Sequence, residues 1–186
     1  MVTEDDDGAL PFTLDPDELI WHLMEYDGNY ALEGLQRALT RVGRDHGPRV
    51  LATMEDTVGL PPRWASVLVP SVWSGVEHPL EALNRDTWRR LFDLAGYTHD
   101  GKRWGRPRKT RPLYRGADEA HRDGWSWSDD RAVAEWFAHR KPGGRVWVAQ
   151  VEPSRLLARI TTERPGESEY VVDPDGLIIT EWTETR

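Results

Sequence analysis

Four stretches decide the fold: RPLYRG (111–116), DGWSWSDDRAVAEWFAHR (123–140), GRVWVAQV (144–151) and PGESEYVVDPDGLIITEW (165–182). In the last, Glu169-Tyr170-Val171-Val172 is β-branched and aromatic. It lies between Pro165-Gly166 and Pro174-Asp175-Gly176, which predicts a strand between turns. Glu167 and Glu169 stand at its entrance. Residues two apart in extended backbone point to the same face, with Cα atoms about 6.6 Å apart at ~3.3 Å per residue. Two carboxylates are therefore aimed into one space. Taken alone, such a pair is usually two solvated glutamates.

Working back along the chain, Pro112-Leu113-Tyr114-Arg115 predicts a short strand closed by Gly116. An arginine beside a glycine that admits a close approach suits an anion. Without context it is an ordinary surface arginine. Ser126-Trp127-Ser128 ends an extended stretch, and Ser128 is a good helix cap followed by Asp129 and Asp130 in the first turn. Ala132, Val133, Trp136 and Phe137 then recur at helical spacing. Asp173-Pro174-Asp175-Gly176 predicts a hairpin turn joining Tyr170–Val172 to Leu177–Thr180.

The order Arg, S-x-S before a helix, then E-x-E on a strand resembles the R-S-E class of mono-ADP-ribosyltransferases, over residues 112–186. The resemblance implies a split β-sandwich that takes NAD as its substrate. It implies that Arg115, flanked by Tyr114 and Gly116, meets the NAD phosphate or ribose. Ser126 would support the nicotinamide ribose and the catalytic glutamate, with Trp127 and Ser128 completing the motif. Glu169 would be the catalytic carboxylate and Glu167 the residue that influences the acceptor. Trp127 departs from the family's threonine and is expected either in the core or against the nicotinamide pocket. Trp136 and Phe137 lie close enough in sequence to touch the nicotinamide ring, although core packing on a helix face is the first expectation for both.

These residue types suit the chemistry. Nicotinamide leaves NAD neutral and needs no general acid, whereas the ribose develops positive charge, the situation glycosidase carboxylates face. One carboxylate, Glu169, stabilises that charge. A second, Glu167, is free to position or deprotonate a nucleophile.

Composition narrows the setting. At 186 residues, 38% apolar and 30% charged, the chain suits one core. It has no cysteine, so no disulfide or thiolate metal site. The histidines have no metal spacing, and no metal is expected. The acidic start Glu4-Asp5-Asp6-Asp7 is unlike a signal peptide, no run approaches a membrane span, and a cytoplasmic protein is expected. A net charge of −8 argues against generic attraction to nucleic acid.

Residues 1–12 read as an acidic disordered tail and 13–100 as helical. Asp15, Pro16 and Glu18 open the first helix with a capping box. Asn29 caps the second, through Val42, and a short one runs from Arg49 to Glu55. Pro61-Pro62 opens another that Pro70 should end, leaving 71–79 as loop. Asp86 caps a last one before Gly96. Residues 101–111 form a basic loop with one aromatic, Trp104. Such a loop can track nucleic acid, bind an acidic partner or rim a site, or be a solvated linker. Residues 112–186 form the β-rich core. The class is α+β: two small facing sheets, with the helices covering one of them so that 13–186 make one domain.

The leading expectation is an NAD-dependent transferase passing ADP-ribose to a macromolecule. A protein arginine is expected ahead of nucleic acid as acceptor. A toxin, phage effector or defence role, with a neutralising partner protein, would fit. An NAD glycohydrolase, or a catalytically silent binding module on the same fold, are the alternatives.

Overall fold

A computed structural model describes residues 10–25, 30–161 and 168–184. The chain divides into two compact units, Met1–Ala95 and Gly96–Arg186. The helical part, read as running to 100, ends at Ala95, and Thr98–His99 and Lys102–Arg103 already belong to the sheet of the second unit.

The described part of the first unit is helical: α1 (Pro16–Glu25), α2 (Leu32–Val42), α3 (Gly47–Thr57), α4 (Pro62–Gly75), a short α5 (Pro79–Ala82) and α6 (Arg85–Ala95). Asp15 caps α1, its Oδ1 accepting the Asp17 N–H at 2.8 Å. Glu18 does not close a capping box; its carboxylate accepts the Thr13 hydroxyl at 2.6 Å, and that same hydroxyl oxygen accepts the Asp15 N–H. Ala31, not Asn29, holds the cap position of α2, and Asn29 lies outside the described residues. Asn84, not Asp86, caps α6 by accepting the Thr87 N–H at 2.8 Å, while Asp86 pairs with Arg89.

The larger correction is at Pro70, which α4 runs straight through. An interior proline costs a helix about 3 kcal/mol. Ending there would expose Trp73, which is 2% exposed and packs edge-on against Trp88 and Phe92 at 5.0 and 5.6 Å. Burying 150–250 Å² of aromatic surface at about 25 cal/mol per Å² is worth roughly 4–6 kcal/mol, so packing wins.

The second unit holds β1 (Thr98–His99), β2 (Lys102–Arg103), β3 (Arg111–Ala117), β4 (Ser126–Ser128), α7 (Arg131–His139), β5 (Arg145–Val151), β6 (Leu156–Ile160), β7 (Glu169–Val172) and β8 (Ile179–Glu181). The strands form one mixed sheet in the order β2-β1-β6-β7-β4-β3-β5-β8. Among the described strands only the β1–β6 pair is parallel. The molecule is thus α+β, with one hydrogen-bonded sheet order where two small sheets were expected. A register shift between Leu156 and Ala158 on β6 bends the ladder.

Two expectations fail here. The start of the basic loop is not loop, since Lys102–Arg103 pair with β1 and Arg111 opens β3. The hairpin after β7 does not form. The turn is present, closed by Leu177 N–H to Pro174 O at 2.9 Å, but β8 pairs with β5. Both edges of β7 are already taken by β4 and β6, so the returning chain must find another edge.

One face of this sheet carries the core: Leu113, Trp127, Ala149, Val151, Leu156, Tyr170 and Val172, with Tyr97. Helix α7 packs on β3 and β5. Among the described residues no helix is long and apolar enough to cross a membrane.

Candidate active site

The three motifs sit on three adjacent strands, β3, β4 and β7. Tyr114 stands opposite Ser128, and Ser128 opposite Glu169. Val148 on β5 and Ile160 on β6 extend this row on either side. Cross-strand partners project to the same face. Tyr114, Ser128 and Glu169 therefore share a face with Ser126, which is two residues from Ser128 and pairs with Val171. The register pairs Glu169 with Ser128 rather than with Ser126, which lies one step along the same face.

Strand alternation sends the neighbours the other way. Arg115, opposite Trp147, projects with Trp127 and Tyr170 into the face that carries the core. Arg115 is half-buried, and its guanidinium donates to two backbone carbonyls. Nε donates to His121 O at 3.0 Å and Nη1 to Ser126 O at 2.7 Å. Gly124 is the seat that permits this, because a Cβ there would run into the guanidinium. Arg115 thus staples the 118–126 connection to β3, and no anion is needed to explain its position.

That connection is organised by Asp118. Its carboxylate accepts the His121 N–H at 3.1 Å and meets His121 Nδ1 at 2.7 Å. The His121 hydrogen bond holds the Asp118 carboxyl below the usual range.

Other expected residues take different roles. Trp127 is 2% exposed and donates its indole N–H to Gly124 O at 2.7 Å. It is a core residue, and of its two expected places the pocket is the one it leaves. Gly116 admits no ligand: a Cβ there would run into Ala134 O and stand 2.5 Å from Ala138 N, so α7 takes that close approach. Ser128 is not the cap of α7. Asp130 is, accepting the Ala132 N–H at 2.9 Å, while Ser128 Oγ accepts the Asp130 N–H. Phe137 is half-buried beside Gly116. Trp136 is 50% exposed with Arg140 over its ring at 4.4 Å, so core packing fails for it. Glu169 is half-buried, and Glu167 lies outside the described residues.

Sequence reading overlooked a cluster on the core side. The Arg111 and Arg159 guanidinium carbons each lie 5.2 Å from the Tyr170 ring centre. Arg111 Nη1 donates to the Tyr170 hydroxyl at 2.5 Å, and that hydroxyl donates to Asp129 at 3.3 Å. Burial and then Asp129 push the phenol's pKa up. Alternation along β7 was the signal: if Glu169 faces one side, Tyr170 faces the other. Among the described residues no group of three or more His, Asp or Glu is placed to hold a metal.

Known proteins add nothing to this geometry. No family model, curated protein or solved structure matches the chain. The site rests on its own residues.

Proposed function

We propose that the second unit is an NAD-dependent mono-ADP-ribosyltransferase with the core of a split β-sandwich. The observation that carries the reading is the in-register row Tyr114–Ser128–Glu169 on three adjacent strands, with Arg115 of the first motif projecting to the other face. Glu169 is the group that stabilises charge developing on the nicotinamide ribose. The glycosidic C–N bond breaks with its electron pair leaving on the nicotinamide nitrogen. The acceptor nucleophile bonds to the ribose carbon and loses a proton, for which Glu167 is the expected base. Ser126 and Ser128 line the approach to Glu169, and Arg115 acts by fixing the strand entrance at Ser126. The acceptor is macromolecular, protein ahead of nucleic acid.

The test is turnover of labelled NAD in a cell lysate by the native chain and by Glu169→Gln. Native protein should label a macromolecule. The variant should lose about 100- to 1,000-fold in rate, as removal of one preorganised charge-stabilising group does, while NAD affinity changes little. Free ADP-ribose as the sole product would make the protein a glycohydrolase, and a fully active variant would remove Glu169 from the mechanism. One observation favours a second reading: Arg115 is engaged by His121 O and Ser126 O, as suits a fold kept for binding alone. No NAD consumption by native protein would establish it.

A further inference from the structure

The cluster around Tyr170 is electrostatically incomplete. Two guanidinium groups flank one ring, and the carboxylate beside them, Asp129, is 3.9 Å from each. The Nε of Arg111 and the Nε of Arg159 are both buried without a hydrogen-bond partner. Arg159 Nη2 reaches Ser168 Oγ only at 3.4 Å. Each arginine has five donors and no acceptor, and among the described residues most of this donor capacity is not met by protein. Leaving buried charged donors unmet costs more than leaving neutral ones unmet; each side chain is about one third exposed, 33% and 34%, and a guanidinium fork meets two oxygens of one phosphate.

The cluster is one end of a strip. His99 stands beside Arg159 across β1 and β6, and Arg159 opposite Tyr170 across β6 and β7. The ring of Trp104, which is 67% exposed, meets His99 edge-on at 6.4 Å. Arg106 is tied to β6 by its Nε bond to Leu156 O at 3.1 Å. Residues 101–111 contain six Lys and Arg and no acid. The acidity of the chain lies elsewhere: residues 96–186 hold 16 Lys and Arg against 15 Asp and Glu, so the overall −8 comes from 1–95. The second unit does not repel a polyanion.

We propose that this strip binds single-stranded nucleic acid, with a backbone phosphate held between Arg111 and Arg159 and a base stacked on Trp104. Backbone contacts from arginine combined with an exposed aromatic ring are the pairing that unpaired strands require. Binding does not depend on transferase activity, so its failure and failure of the enzyme reading are separable.

The test is fluorescence anisotropy of labelled oligo(U) and oligo(dT) with the full chain, without NAD, across a salt series. Native protein should bind with a log–log salt slope reflecting several phosphates. Arg111→Gln with Arg159→Gln should reduce that slope by about 0.7, the single-strand value for one phosphate no longer neutralised. Trp104→Ala should weaken binding roughly 5- to 150-fold, the range for one lost stack, with little change in slope. Trp104 is exposed, so that variant stays interpretable if the double variant misfolds. Absence of binding at low salt would overturn the proposal. So would unchanged affinity in Trp104→Ala, or arginine variants that lose pyrophosphate and ADP-ribose binding while oligonucleotide affinity is unaltered.

Discussion

The two faces of the β3–β4–β7 strip are built from the same short motifs and do opposite work. Tyr114, Ser126, Ser128 and Glu169 project to one side; Arg115, Trp127 and Tyr170 project to the other. A motif read as a block, such as Tyr-Arg-Gly or Ser-Trp-Ser, is thus split by the alternation of a strand. The first face keeps its polar groups together beside α7. The second buries a tryptophan and uses an arginine to tie down a connection. Proximity in sequence picked out strands that lie side by side but could not assign each side chain to a face.

The comparison breaks most sharply at Trp127. If the core face is structural, Trp127→Ala should destabilise the second unit by about 3–5 kcal/mol, the usual cost of truncating a buried large aromatic. It also removes the indole bond to Gly124 O. Denaturant unfolding followed by circular dichroism would measure it. A loss under about 1 kcal/mol, accompanied by weakened NAD binding, would return Trp127 to a ligand pocket.

Arg115 sharpens the comparison at a smaller scale. Its two charge-assisted bonds to backbone carbonyls are each worth roughly 1.5–3 kcal/mol where they are shielded, and less at this half-buried position. Arg115→Met should cost about 1–3 kcal/mol and raise hydrogen exchange in 118–126. If Arg115 instead clamps phosphate, NAD affinity would fall with stability and exchange unmoved.

What the sequence disclosed follows from which interactions are local. Strand β7 and helix α7 were legible because β-branching and helical spacing are local patterns. The order of the strands was not, because pairing of β8 with β5 depends on which edges remain open after β4 and β6 have taken β7. Helix α4 outran Pro70 for a similar reason: the partners of Trp73 are on α6, far along the chain. At the candidate site, motif reading singled out Glu169 and Ser128, and the strand register sets them opposite each other. The seat of Arg115 was not, since it depends on Gly124 lacking a Cβ, and nothing around Gly124 marks that role. The Arg111–Tyr170–Arg159 cluster was missed because its members come from three strands.

The smallest effect expected separates the faces by pH. Asp118 has its pKa lowered by its hydrogen bond from His121, and it organises the turn whose carbonyl receives Arg115 Nε. A carboxyl depressed in the folded state stabilises fully above its unfolded value of about 3.9 and loses that contribution as pH falls through the lower folded value. Acidification from pH 5 towards pH 3 should therefore loosen 118–124 before the sheet yields. The readout is a rise in amide exchange at His121 and Gly124, normalised for the intrinsic pH dependence, while amides of β5 stay protected. Asp118→Asn removes the charge that titrates, so its exchange in this turn should no longer change over the same window. If the native turn is equally protected at both ends of that range, Asp118 does not hold the connection, and Arg115 must find its geometry from Gly124 and the strand alone.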